Sequence, residues 1–292
     1  MHHTAMDGEI DTMTTTQNRL LKRALTTFGA ALVLSLAAPV SAQERTPQDP
    51  RLVTPGQLTV GTGDPVFPPW MLNNDPAGGE GFENGLVYAL AAEMGFAPED
   101  VVWVGQTFDQ TIAPGDKPFD FAIQQISVTE ARAEVVSFSQ VYFQPEKAVI
   151  ALAGSPVEGV DSFARLREAR WGAVIGTTDL NYLENILGIE DAAVYNDQIG
   201  VFQAMQAEQI DATLAALPTA LFATAVQIPE ASIVAILPPD ENDRGHGLLF
   251  QFENPLVDWV DEALSEVIAA GVVEDLKATY LVADPNLPLI TE

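Results

Sequence analysis

The chain has 292 residues, is 47% hydrophobic, holds no cysteine and carries a formal net charge of −28. This composition supports a substantial core and excludes disulfides, thiolate nucleophiles and Cys-based metal sites. So acidic a surface repels nucleic acid and anionic lipid, and with scattered charges it reads first as a solvated face.

From the N-terminus, Arg19, Lys22 and Arg23 form a basic patch ahead of the apolar run Ala24–Ala38 and the small-residue segment Pro39-Val40-Ser41-Ala42. That order predicts a secretory signal over residues 1–42, cleaved before Gln43, with an uncleaved anchor or a buried helix as the alternative. Met13 is the more natural initiator, so residues 1–12 read as an extension. The signal takes away three bases and three acids (Asp7, Glu9 and Asp11), so the remainder keeps the whole charge. His2 and His3 leave with it, and His246 alone cannot build a His-based metal cluster. No later stretch is apolar enough to span a bilayer.

Residues 43–56 read as a polar leader. Leu58–Thr62 alternates like a strand and runs into Pro65, Pro68 and Pro69, which enforce a loop. Asn84–Met94 has helical spacing and stops at Gly95. Val101–Val104 and Phe119–Ile126 are predicted strands, and Thr129 with Arg132 fits the first turn of a short helix. Asp161 is expected to cap a helix over Ser162–Ala169, and Trp171–Ile175 reads as a buried strand. Thr178 is expected to cap the helix Asp179–Leu187. Helices follow over Asp197–Ala207 and Pro218–Ala225, with strands over Asp211–Leu214, Ser232–Leu237 and Gly247–Phe250. Asn254 opens a long helix to Ala270, and Val273–Leu281 closes the fold. Alternating strands and helices predict an α/β architecture with mainly parallel sheets. Ligands in such sheets bind beyond the strands' carboxyl ends, which singles out Gly63–Trp70, Gln124–Arg132 and Gly176–Thr178.

Each loop admits two readings. Arg132, near Ser127 and Thr129, offers a planar fork for a carboxylate, or is a surface arginine paired with Glu130 or Glu134. Phe67, Trp70 and Phe108 are rigid contact surfaces or core. Asp64 receives a cationic group or serves its turn. Gly176-Thr177-Thr178 cradles an anion or merely opens a helix.

In this order and spacing the segments resemble the polar amino-acid family of periplasmic binding proteins of ABC transporters, with histidine-binding and lysine/arginine/ornithine-binding members as the nearest models. The resemblance spans nearly all of residues 57–283. It is carried by Leu58-Thr59-Val60-Gly61-Thr62, by Asp64 to Trp70, by Gly81-Phe82-Glu83 and by Phe119-Asp120-Phe121-Ala122-Ile123. Ser127-Val128-Thr129-Glu130-Ala131-Arg132, Val136-Ser137-Phe138-Ser139 with Tyr142, Gly176-Thr177-Thr178 and Gln209-Ile210-Asp211-Ala212 complete it.

The resemblance implies a two-lobed type II periplasmic-binding fold, with lobe one over 57–144 and 243–285, lobe two over 145–242, two hinge crossings and a tail at 286–292. Arg132 would grip the ligand's α-carboxylate, with Ser127 beside it and Thr178 on the second lobe. Phe67 and Phe108 would sandwich the side chain, Asp64 would lie at the edge, and Gln125 would point a larger polar group into the pocket. Where the family carries the acid that holds the ligand's ammonium, this chain has Ala216, so Asp64 or Glu83 takes that role or the ligand is not an ordinary α-amino acid. The implied protein is a monomeric periplasmic carrier, not an enzyme. It has no cofactor and no metal, takes a small carboxylate-bearing, amino-acid-like solute and has an inner-membrane ABC permease as partner. A cyclohexadienyl or prephenate dehydratase-like enzyme and a receptor-docking ligand sensor are the alternatives on the same scaffold.

Overall fold

A computed structural model describes residues 45–281 and 286–290. The expected signal segment, residues 1–42, lies outside the described residues. In chain order the strands are β1 (Leu58–Gly63), β2 (Val101–Gln106), β3 (Phe121–Ala122), β4 (Val136–Phe143) and β5 (Lys147–Leu152). There follow β6 (Trp171–Val174), β7 (Ala193–Tyr195), β8 (Ala212–Ala216), β9 (Ala231–Leu237) and β10 (His246–Gln251). The helices used below are α1 (Phe82–Glu93), α2 (Phe108–Ile112), α3 (Glu130–Ala133), α4 (Phe163–Leu166), α5 (Thr178–Asn181), α6 (Gln198–Gln206), α7 (Leu217–Phe222), α8 (Val257–Ala269) and α9 (Val272–Tyr280).

The strands form two five-stranded sheets, ordered β2-β1-β3-β10-β4 and β7-β6-β8-β5-β9. Each has two parallel junctions followed by two antiparallel ones, so the sheets are mixed, and the expected parallel pairing holds on one side of each. The chain leaves the first sheet after Phe143, enters the second at Lys147, and returns between Leu237 and His246. These are the two lobes of a type II periplasmic-binding fold. A third contact comes from the end of the chain, where Ile236 donates to Pro288 O and Leu289 bridges to Ile236. Ile290 is buried in the second lobe. In the expected leader, Leu52 is buried in the first lobe's core.

α1 begins two residues earlier than the periodicity suggested, because Gly81 provides the entry. Its φ of 122° favours glycine, and a Cβ there would run into the Trp70 backbone. The helix then buries Phe82, Leu86, Val87 and Leu90 on one face. The predicted strand Phe119–Ile126 shrinks to Phe121–Ala122, although Asp120 N and Ile123 N on either side still donate to Thr59 O and Gly61 O of β1. Asp120, buried, accepts from Val53 N and Thr59 N at 2.7 Å each.

Two expected caps are displaced. Ser162, not Asp161, precedes α4, and its side chain makes no cap bond. Thr177, not Thr178, caps α5 by accepting from Leu180 N, which puts Thr178 in the first turn with its hydroxyl at the cavity, against Ser127 Oγ. The edge of β7 and the long strands β4 and β5 lacked a predicted counterpart. No helix among the described residues is long and apolar enough to cross a membrane.

Candidate functional site

A cavity of about 470 Å³ lies where the two lobes face each other, within the size range of small-molecule sites. Asp64, Phe67, Phe108, Gln125, Ser127, Arg132 and Thr178 all line it, and so does Ala216. The three loops singled out by strand polarity therefore converge.

Thr129 places Arg132. Its side chain accepts from Arg132 N at 3.3 Å and caps α3, turning the arginine inward. Arg132 is buried, with 9% of its surface exposed. Its Nη1 donates to Ser127 O at 2.6 Å and its Nη2 crosses to Gly176 O on the second lobe at 2.9 Å. The guanidinium carbon stands 5.2 Å from the Phe108 ring centroid. Burial pulls its pKa down to about 10, opposed by the charges of Asp243 and Asp179, so it stays cationic at neutral pH. The surface-arginine reading fails on this geometry. Glu130 pairs with Arg244 instead.

Ser127 Oγ lies 3.3 Å from Thr178 Oγ1, so the two hydroxyls meet across the lobes. Ser127 also donates to Asp243 Oδ2 at 2.9 Å. Phe67 and Phe108 are half-buried at the cavity, while Trp70 is fully buried behind it. Trp70 packs edge-on against Phe82, Phe143 and His246, and its Nε1 donates to Thr219 Oγ1 of α7 at 2.8 Å. Asp64 is exposed at the rim.

Two expectations need correction. Gln125 does not send its amide freely into the cavity. It takes a left-handed φ of 50°, its backbone N donates to Glu83 Oε1 at 2.8 Å, and its Nε2 donates to Glu83 Oε2. Glu83 is fully buried, accepts a third bond from Tyr142 OH at 2.5 Å, and is not part of the cavity lining. Burial raises its pKa to about 7, against three hydrogen bonds that pull the other way. It organises the Gln125 turn and is out of reach of a ligand's ammonium.

Several lining residues escaped sequence reasoning. Lys147 is the cross-strand neighbour of Ala216; it forms an ion pair with Asp179 and stands 5.6 Å from the Tyr182 ring. Asp240, Asp243 and His246 come from the return crossing. His246 is 3% exposed, burial pushes its pKa down to about 3, and its Nδ1 has no partner among the described residues. The available signal was positional, since a chain crossing between lobes must pass the cleft between them. Among the described residues no group of three or more His, Cys, Asp or Glu is arranged to hold a metal ion.

No curated protein sequence matches the chain. Among solved structures, it is similar to a Salmonella typhimurium periplasmic binding protein described as highly arginine-specific, with a TM-score of 0.66, 20% identity and coverage of 77% of this chain and 99% of that one. An arginine-, lysine- and histidine-binding protein of Geobacillus stearothermophilus gives 0.66 and 21%, over 79% and 97%. An ancestral amino-acid-binding protein, described as a precursor of cyclohexadienyl dehydratase, gives 0.64 and 22%, over 78% and 96%. At these identities the likeness establishes the fold. Residues 58–283 match the model of the bacterial extracellular solute-binding proteins, family 3, and the chain belongs to that family.

Proposed function

We propose that this protein captures a small carboxylate-bearing, amino-acid-like solute between its lobes in the periplasm and delivers it to an ABC transporter permease. The observation that carries the reading is Arg132, buried and cationic, beside two hydroxyls contributed by opposite lobes. A carboxylate there would gain a charge-assisted forked bond from Arg132 and a bond from Thr178, whose hydroxyl would turn to the ligand. Phe67 and Phe108 supply flanking aromatic surface, and Asp64 the rim charge. The arginine-, lysine- and histidine-binding names of the similar structures support an amino-acid-like ligand. Lobe one comprises 57–144 and 243–285, and lobe two 145–242; the ligand favours the closed state because only there do both lobes touch it. The carrier acts as a monomer.

An enzyme of the dehydratase kind needs an acid in the cleft, and Glu83, one of two candidates, is sealed behind Gln125. Mass spectrometry of the small molecule released from denatured exported protein tests the proposal. An amino-acid-like carboxylate is expected, and a molecule without an acid group overturns it. Turnover of a prephenate-like substrate would replace the carrier reading with the enzymatic one.

A further inference from the structure

An α-amino acid held by its carboxylate brings an ammonium on the adjacent carbon, which needs a counter-charge once it leaves water. At Ala216 none is available. Its cross-strand neighbour Lys147 is a cation whose charge is taken up by Asp179, so the pair offers no free anion to an ammonium. Of the acids at the cavity other than Asp243, Asp179 pairs with Lys147, Asp197 caps α6 through Gly200 N, Asp240 holds Asn242 on one oxygen, and Asp64 and Glu146 are exposed; none of them hydrogen-bonds to Arg132, Ser127 or Thr178, and Glu83 is sealed.

Asp243 differs from all of these. It lines the cavity, and its Oδ2 accepts from the Ser127 hydroxyl at 2.9 Å, beside the Arg132 that is assigned to the ligand's carboxylate. Its Oδ1 accepts from Gly245 N at 3.0 Å, which fixes the carboxylate at the return crossing. Two bonds leave about half of a carboxylate's acceptor sites unused. Asp243 forms no ion pair with Arg132, although its charge acts on that guanidinium. A carboxylate beside the place of the ligand's own carboxylate repels a plain acid and attracts a zwitterion.

We infer that Asp243, at the hinge crossing, supplies the counter-charge for the ligand's α-ammonium and so selects α-amino acids over the same acids without the amino group. This rests on the amino-acid-like reading of the cavity. Asp243 replaces on the hinge an acid that Ala216 lacks on the second lobe, which also removes the need for Asp64 in that role.

The test is calorimetry on exported protein with L-arginine, L-glutamine and their desamino counterparts, 5-guanidinopentanoate and 4-carbamoylbutanoate. Wild type is expected to prefer an amino acid over its desamino form at least tenfold. Asp243→Asn should weaken the amino acid at least tenfold while leaving the desamino acid unchanged or tighter. Should Asp243→Asn not fold, Asp243→Ser removes the same charge. Thr178→Val should weaken both forms together and keep their ratio. A ratio unchanged by loss of the Asp243 charge overturns the inference and leaves the solute reading standing. Binding of the desamino acids alone by wild type overturns it too, while no binding by any of the four overturns the amino-acid reading and this inference with it.

Discussion

The two sheets follow one strand plan but are packed differently. The first lobe concentrates its bulk on one side of its sheet, where Trp70, Phe82, Phe96, Phe121, Phe250 and Trp259 share a single aromatic-rich core. Only a small cluster around Phe119, Ile126 and Leu249 covers the other side. The second lobe spreads its burial over two clusters dominated by Ala, Val, Leu and Ile. The polar groups follow the same division. On the first lobe Arg132, Gln125 and Glu83 are buried or locked by several hydrogen bonds. On the second, Thr178, Thr219 and the Lys147–Asp179 pair sit on short helices and strand ends. The first lobe thus holds its cleft groups in a dense hydrogen-bonded network, and the second presents its own from helix starts and strand ends.

The sharpest break in that asymmetry comes from the aromatic core. Trp70→Ala removes a fully buried indole together with three ring contacts and a cross-lobe hydrogen bond. It should cost about 3–5 kcal/mol of stability, whereas Ile150→Val in the second lobe should cost about 0.5–1.5 kcal/mol. Urea unfolding of both variants measures the contrast. Equal losses would mean that Trp70 sits in a site able to relax.

Arg132→Ala comes next and acts on binding. Removing one partner of a buried charge pair costs about 2–5 kcal/mol, so affinity for the solute should fall by roughly 30-fold or more. Calorimetry on the folded variant reads this directly, and unchanged affinity would place the carboxylate elsewhere in the cavity.

Glu83 tests the network of the first lobe through pH. Its carboxyl titrates at about 7 in the folded chain, while an unfolded glutamate titrates near 4.3. Below about pH 4 both states hold the proton and the site costs nothing. As pH rises towards 7 the unfolded chain releases its proton while the buried group resists, so stability falls. The full difference is about 4 kcal/mol at ~1.4 kcal/mol per unit. Glu83→Gln should therefore flatten the stability profile between about pH 4 and 7, as measured by urea unfolding at a series of pH values. Parallel profiles for the two proteins would show that the Tyr142 and Gln125 bonds hold the carboxylate ionised.

Much of the site was legible because its residues follow strand ends. Asp64, Phe67, Ser127, Arg132 and Thr178 were all reachable from the rule that loops at carboxyl ends gather at one cleft. The mixed character of the sheets was less so, since an antiparallel junction leaves no local signature in β5 or β10 comparable to the break at a helix cap. The lock between Glu83 and Gln125 was missed for a different reason. A left-handed residue at position 125 and the bonds it permits are set by long-range packing against α1, which no local pattern encodes. Lys147 and Asp243 were missed because their importance arises from pairing across sequence separations, with Ala216 and Ser127 respectively.

The smallest effect isolates the contact between the two halves. Thr219 sits in the first turn of α7, after Pro218, and its Oγ1 accepts from the buried Trp70 indole at 2.8 Å. Thr219→Val keeps the side chain's shape and removes the acceptor, leaving the indole N–H without its partner when the lobes are together. An unsatisfied buried donor costs about 1–3 kcal/mol, but opening the cleft lets water satisfy it. The loss therefore falls mainly on the closed state, and the open one gains weight. At the low end, about 1 kcal/mol, affinity should drop by roughly fivefold, with little change in the stability of either lobe. Calorimetry measures the affinity, and small-angle scattering with saturating solute shows whether more of the population stays open. The ligand-induced change in tryptophan fluorescence should also shift, because Trp70 reports on this contact. A loss of thermal stability with unchanged affinity would mean that the Trp70–Thr219 bond belongs to the fold of both states and not to closure.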